Sequence, residues 1–172
     1  MDKNDPHQEQ ELRFFATAPR PCSYLQDRNA ISVFADPEAR LSPALYNQLA
    51  RYGFRRSGND LYIPACPGCS ACIPVRIPVT QFIRSRNQRK IWNRNRDLVC
   101  TILPAEYRDE HFVLYARYQK ARHPGGGMDN PSADEYIRFL TCDLSDSQFI
   151  EFRIDRKTVA VAVTDRLCNA LS

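Results

Sequence analysis

The sequence predicts a mixed α/β (α+β) fold, and three observations predict it. Two segments, opening at Ser42 and Ser132, carry helix-start chemistry followed by apolar residues at helical spacing. Short stretches around them alternate or run apolar as strands do: ISVFAD at 31–36, LVCTIL at 98–103, and the pair QFIEFRI and TVAVAVT at 148–154 and 158–164. Pro, Gly, Asn and Asp punctuate the junctions, so strands and helices succeed one another along the chain.

In chain order, residues 1–11 read as a disordered leader, and LRFF at 12–15 as a first short strand. APRPCSY turns the chain before the strand at 31–36. Ser42 caps the next helix, Pro43 suits its first turn, Leu45, Leu49 and Tyr52 give its apolar stripe, and Gly53 ends it. FRRSGNDLYIP reads as strand, turn, strand, with Leu61 and Ile63 on one side and Tyr62 on the other. The cysteine loop 64–72 leads to IPVRIPV (73–79), whose two prolines restrict it to an edge or irregular strand. LVCTIL is expected to be a buried strand. From Ala105 to Arg122, Tyr107, His111, Leu114, Tyr115 and Tyr118 recur as on a long amphipathic helix. Ser132 and Glu135 form a capping box for a helix through Leu140. The two alternating runs around Asp155, Arg156 and Lys157 then make an antiparallel hairpin. DRLCNALS resembles the approach to a further strand, which suggests a chain truncated at its C-terminus.

The chain has 172 residues, 43% of them hydrophobic and 26% charged, an ordinary balance for one or two water-facing domains. No apolar run approaches the ~20 residues of a membrane span, and the polar start MDKNDPHQEQ is no secretory signal. The expectation is a cytoplasmic protein without membrane contact. Seven cysteines, an odd number, then read as reduced thiols and not as a disulfide framework.

The formal net charge is +4, yet the segment RSRNQRKIWNRNR contains Arg84, Arg86, Arg89, Lys90, Arg94 and Arg96 with no acid. The rest of the chain is slightly acidic, so the basicity is local. As a helix, the segment groups Arg86, Arg89, Lys90 and Asn93 on one face. Six cations in one short stretch repel one another unless a polyanion offsets them, which points to nucleic-acid phosphates. The competing interpretation is a solvated helix face anchored by buried Ile91 and Trp92.

CPGCSAC at 66–72 holds two overlapping C-x-x-C steps, the spacing that lets thiolates converge on one ion. Cys66, Cys69 and Cys72 are three ligands, and Cys22 is the natural fourth for zinc or an iron–sulfur cluster. A redox pair and structural thiols in a tight turn are the alternatives. His123 precedes Pro124 and three glycines. It is a candidate acid or base, or a favourable charge at a helix end.

Three segments together, YGFRRSGNDLYIPACPGCSACIPVRIPV, SRNQRKIWNRN, and LYARYQKARHPGGGMD leading to IEFRIDRKTVAVAVTDRL, resemble the aminoacyl-tRNA:protein transferases, in their bacterial aspartate/glutamate leucyltransferase branch. The resemblance spans about residues 12 to 172. It implies an N-terminal transferase region, 12–103, holding the cysteine loop and basic segment, then an acyltransferase-like domain of GNAT type beginning at 104 and incomplete at 172. The implied activity moves leucine from charged tRNA to the α-amine of proteins with N-terminal Asp or Glu, marking them for N-degron proteolysis. The implied partners are charged tRNA, held by Arg84 to Arg96, and the acidic N-terminus, whose carboxylate would meet Arg55, Arg56 or Arg76. No cofactor is required, although zinc or an iron–sulfur cluster is possible. Eukaryotic relatives have a C-x-x-C and a vicinal Cys pair; here Leu25 and Ser70 stand at the matching second positions, so a cluster needs Cys66 and Cys72 as substitutes. The alternative function is a non-catalytic RNA-binding zinc module.

Overall fold

The computed structural model describes residues 11–126 and 128–172, so most of the expected leader lies outside the described residues. The chain divides into two compact units, one ending at Ile73 and the other running Pro74–Ser172. The cysteine loop thus belongs to the first and the basic segment to the second.

The first unit is an antiparallel four-stranded sheet with one helix. Its strands are β1 (Phe14–Ala16), β4 (Ser32–Ala35), β6 (Asp60–Pro64) and β5 (Arg55–Ser57), in that spatial order. A two-stranded ribbon, β2 (Arg20–Pro21) with β3 (Asn29–Ala30), occupies the stretch expected to be a turn. Helix α1 (Pro43–Arg51) begins as its sequence dictates: the Ser42 hydroxyl accepts from the Leu45 amide at 3.2 Å, Pro43 fills the first position, and Gly53 takes φ +91° just beyond. Its buried face is Tyr46 and Leu49, whereas Tyr52, expected in the stripe, is 76% exposed. Tyr52 is the C-cap, where the helical phase stops governing direction. Leu61 and Ala35 complete this core. The β5–β6 hairpin pairs Ser57 with Asp60 across Gly58 and Asn59, and Gly58 takes the positive φ that a tight hairpin turn demands.

Residues 73–78, from the last residue of the first unit into the second, form no strand. Pro74 and Pro78 remove two ladder donors, and a single 3-10 turn, Val79–Gln81, follows. Helix α2 (Arg86–Arg94) follows, then β7 (Val99–Pro104), α3 (Asp109–Arg122), α4 (Ala133–Leu140), β8 (Asp146–Ile154) and β9 (Lys157–Arg166). The sheet is antiparallel in the order β7-β8-β9. Asp155 and Arg156 turn the hairpin with φ of 47° and 66°, so Lys157 already pairs with Ile154. Beyond β9, Leu171 bridges back to Arg166.

Two expectations are corrected here. β7 is a strand, but an exposed one, with Val99 and Ile102 more than 60% accessible; among the described residues it is an edge, paired only with β8. The long helix starts at Asp109, not Ala105, because the chain leaving Pro104 turns first, the Glu106 amide bonding the Pro104 carbonyl and Tyr107 bonding Asp109. The core gathers on Tyr136 of α4 and Phe149 of β8. The Tyr136 ring meets Tyr115 at 4.9 Å, Phe112 at 5.6 Å and Phe149 at 6.4 Å between centroids, in tilted or edge geometries that add roughly 0.5–1.5 kcal/mol per pair beyond burial. Burial pushes the Tyr136 hydroxyl up to about 12, with the neighbouring Tyr115 and Tyr107 adding to it.

Candidate nucleic-acid interface

The basic segment is helical because it starts correctly. Ser85 accepts from the Gln88 amide at 3.3 Å, and the Gln88 side chain returns the bond to the Ser85 amide at 2.7 Å, a complete capping box. That cap is neutral, and the first turn holds Arg86 and no acid. The helix macrodipole places partial positive charge at the same end, so these cations raise the electrostatic energy of the free helix and lower it once an anion arrives.

Every residue of α2 is exposed. Arg86, Asn87, Arg89, Lys90, Asn93 and Arg94 border one open concavity, which contains the face expected from 3.6-residue spacing. Arg84, just before the helix, lays its guanidinium 4.4 Å from the Trp92 ring centroid, and its carbonyl accepts from the Arg89 guanidinium. Arg96 follows the helix in an exposed turn. The buried anchor is ruled out, since Ile91 and Trp92 are 58% and 60% exposed. A stripe of solvated guanidinium and ammonium groups can neutralise several phosphates at once, with Trp92 offering a π face to a base.

The other candidates scatter. Strand alternation sends Arg55 and Arg56 to opposite faces of the sheet: Arg55 pairs with Tyr62, Arg56 with buried Leu61. They cannot grip one carboxylate together. Arg76 lies in the irregular stretch at the start of the second unit. His123 caps α3 through its own amide and rests edge-on against Tyr118 at 5.6 Å.

The cysteines do not assemble a ligand set: among the described residues, no three His, Cys, Asp or Glu side chains are placed to hold a metal ion. Cys66 is occupied by Ile31, its Sγ accepting from the amide at 3.4 Å and donating to the carbonyl at 3.6 Å. Cys69 closes a turn on the Cys66 carbonyl over Pro67 and Gly68, and Cys72 is exposed. The Cys22 thiol is lowered by backbone amides of Tyr24 and then Leu25. The residues present therefore do not fit a zinc ion or cluster in this conformation.

One cluster was not visible from spacing. His111 is 2% exposed, and its Nε2 donates to Glu151 at 2.7 Å. The same carboxylate oxygen accepts from Thr158 Oγ1 at 3.0 Å and Arg153 at 3.1 Å. Burial raises the Glu151 carboxyl, but the bonds from His111, Thr158 and Arg153 outweigh it and leave the group below its ordinary value. Glu110 is lowered by the Thr158 amide first and also grips Arg153. The signal available in the sequence was an acid at an inward position of QFIEFRI, sharing parity with fully buried Phe149.

Relatives give the fold and the basic helix a context. A family profile described as arginine-tRNA-protein transferase, N terminus, matches residues 20–90, and its C-terminus counterpart matches residues 110–172. A protein named aspartate/glutamate leucyltransferase from Hahella chejuensis is 50% identical over 161 residues, covering 94% of this chain and 69% of its own length. One of the same name from Chromohalobacter salexigens is 48% identical, covering all of this chain and 70% of its own. Another from Pseudomonas fluorescens is 50% identical over 94% of this chain and 68% of its own. Identity at this level across both units leaves one assignment: the chain belongs to the arginine-tRNA-protein transferase family, among the proteins named aspartate/glutamate leucyltransferases.

Proposed function

We propose that the protein is an aminoacyltransferase that moves leucine from leucyl-tRNA to the α-amine of proteins beginning with Asp or Glu. The observation that carries this beyond kinship is α2, an exposed, capped helix lined by Arg86, Arg89, Lys90 and Arg94 with no acid among them. The reaction is aminolysis of an ester. The neutral α-amine attacks the leucyl carbonyl, a C–N bond forms, the ester C–O bond breaks, and the amine's proton ends on the terminal ribose hydroxyl of the tRNA. The ester supplies the driving force, so the protein's task is alignment of two large substrates and stabilisation of the tetrahedral oxyanion. In this reading α2 holds tRNA backbone and contributes affinity more than sequence choice.

Arg55, half-buried on the β5–β6 hairpin, is the cation we assign to the acceptor's side-chain carboxylate, with Arg56 and Arg76 as the other candidates. The resemblance further supports an acyltransferase-like, GNAT-type second part from about residue 104, a role in N-degron proteolysis and a cytoplasmic setting. Among the described residues, no helix is long and apolar enough to cross a membrane. Incubating the protein with radiolabelled leucyl-tRNA and peptides with N-terminal Asp, Glu or Ala tests the function. Label should enter the first two and not the third; labelling of none, or of all three equally, overturns the assignment.

A further inference from the structure

The four-stranded sheet carries a second concavity, of about 510 Å³, that the basic helix and the cysteine loop do not use. The register sets Phe15 opposite Phe34 and Phe34 opposite Tyr62, so the three rings share one face. Phe34 and Tyr62 stack at 5.2 Å with planes 24° apart, while Phe15 is 51% exposed. Phe15 and Phe34 floor the concavity, and Arg13, Asp36, Glu38 and Asp60 supply its charged rim. Buried Asp36 engages Arg13 at 2.9 Å and accepts the Glu38 amide at 3.0 Å. The rim's one cation is thereby neutralised within the protein, and its net charge is −2 from the exposed Glu38 and Asp60.

The occupant that complements this surface has an apolar body for the rings, a cationic head for the carboxylates, and no anion. Phosphate and an acidic N-terminal residue both carry the wrong charge. A leucyl ester has the isobutyl body, the α-ammonium head, and its carboxyl masked. We propose that this face seats the leucyl group of the donor, the side chain on Phe15 and Phe34 and the ammonium toward Glu38 and Asp60. The inference rests on the proposed function and deepens it. It explains how a charged donor is told from free leucine, whose carboxylate the negative rim repels. Arg55 lies in the same cross-strand row as Phe34, two strand spacings or ~10 Å away, on the side where the acceptor carboxylate is assigned.

The test is a titration of the full chain, followed by NMR of its aromatic rings, with leucine methyl ester, leucine and N-acetyl-leucinamide. The ester should move the Phe15 and Phe34 signals and bind at least about tenfold more tightly than the zwitterion or the neutral amide, as loss of one charge-assisted contact requires. Glu38→Gln with Asp60→Asn, both at exposed positions, should erase that preference; Phe15→Ser should weaken all three probes, which share the isobutyl group, and keep the preference. Equal binding of the three probes, shifts elsewhere, or an unaltered preference in the double variant overturns the seat. The enzymatic reading is separable. Leucine transfer with an unchanged KM for leucyl-tRNA in the double variant overturns the seat and leaves the function. Selective ester binding without transfer by the parent chain supports the seat and counts against the function.

Discussion

His111 and Glu151, forty residues apart in the chain, are joined at 2.7 Å inside the second unit, tying the first turn of α3 to the middle of β8. The Nδ1 of the same ring is enclosed with no partner among the described residues. The contact is therefore one-sided, and Glu151 answers to Thr158 of β9 and to Arg153 as well. One carboxylate fastens a helix to a hairpin.

That arrangement fixes an acid dependence. The folded-state carboxyls of Glu151 and Glu110 both lie below their ordinary 4.5. A depressed carboxyl contributes stability that is fully present above the unfolded value and is lost as pH falls through the folded one. Urea midpoints should therefore hold above 4.5 and drop below it. Glu151→Gln should flatten that drop, and Glu151→Ala should cost about 2 kcal/mol at neutral pH by leaving the buried Nε2 of His111 without its acceptor, while Arg153 keeps Glu110. An acid limb of unchanged steepness in Glu151→Gln contradicts the assignment.

The cysteines give a second prediction through reactivity. Amides of Tyr24 and Leu25 stabilise the Cys22 thiolate, whereas Cys66 is bonded at both its donor and its acceptor to Ile31. Alkylation mapped by mass spectrometry across pH should find Cys22 modified far ahead of Cys66, with its rate rising at lower pH than that of an ordinary thiol. Because the thiols do not converge, elemental analysis of anaerobically purified protein should return zinc and iron well below one per chain. Stoichiometric metal released together with protection of Cys22, Cys66, Cys69 and Cys72 would show a ligand set that forms in another conformation.

What was legible in the sequence is what is local. Ser42, the Ser132–Glu135 capping box and the Asp155–Arg156 turn each act within four residues, and each stands where the residues placed it. Burial was less legible because it depends on neighbours distant in the chain. LVCTIL has the composition of an enclosed strand, yet its place in the sheet is an edge. Tyr107 continues the spacing of α3 but precedes the helix, since a periodic side chain does not oblige the backbone to bond. The basic helix was legible as charge. The separation of Arg55 from Arg56 follows from strand parity, and the His111–Glu151 pair needed the fold.

Strand parity makes the acceptor site testable residue by residue. Arg55 shares a face with Tyr62, Phe34 and Phe15, and Arg56 shares the other with Leu61, which is 1% exposed. Arg55→Ala should raise the KM for an Asp-initiated peptide about tenfold or more with little change in melting temperature. Arg56→Ala should leave that KM within about twofold and lower thermal stability, because Arg56 is the cross-strand neighbour of buried Leu61 on that face. The reverse pattern assigns the carboxylate to Arg56.

The basic helix makes its prediction in salt. Each phosphate neutralised contributes roughly −0.9 to the slope of log K against log salt on a duplex. Arg86, Arg89, Lys90 and Arg94 together should give a slope steeper than about −3 for tRNA. Arg89→Glu with Lys90→Glu should make the slope shallower by about two and weaken binding at low salt far more than at high salt. Arg84→Gln should change the slope little, since its guanidinium is engaged with Trp92, and should instead loosen the start of α2. Ser85→Ala separates order from charge: it removes the cap, costs the helix about 1 kcal/mol, and keeps every cation. If binding depends on the array and not merely on its charge, that variant weakens tRNA affinity while its slope shifts less than in the double reversal. A double charge reversal that leaves both slope and affinity intact places the tRNA on some other surface.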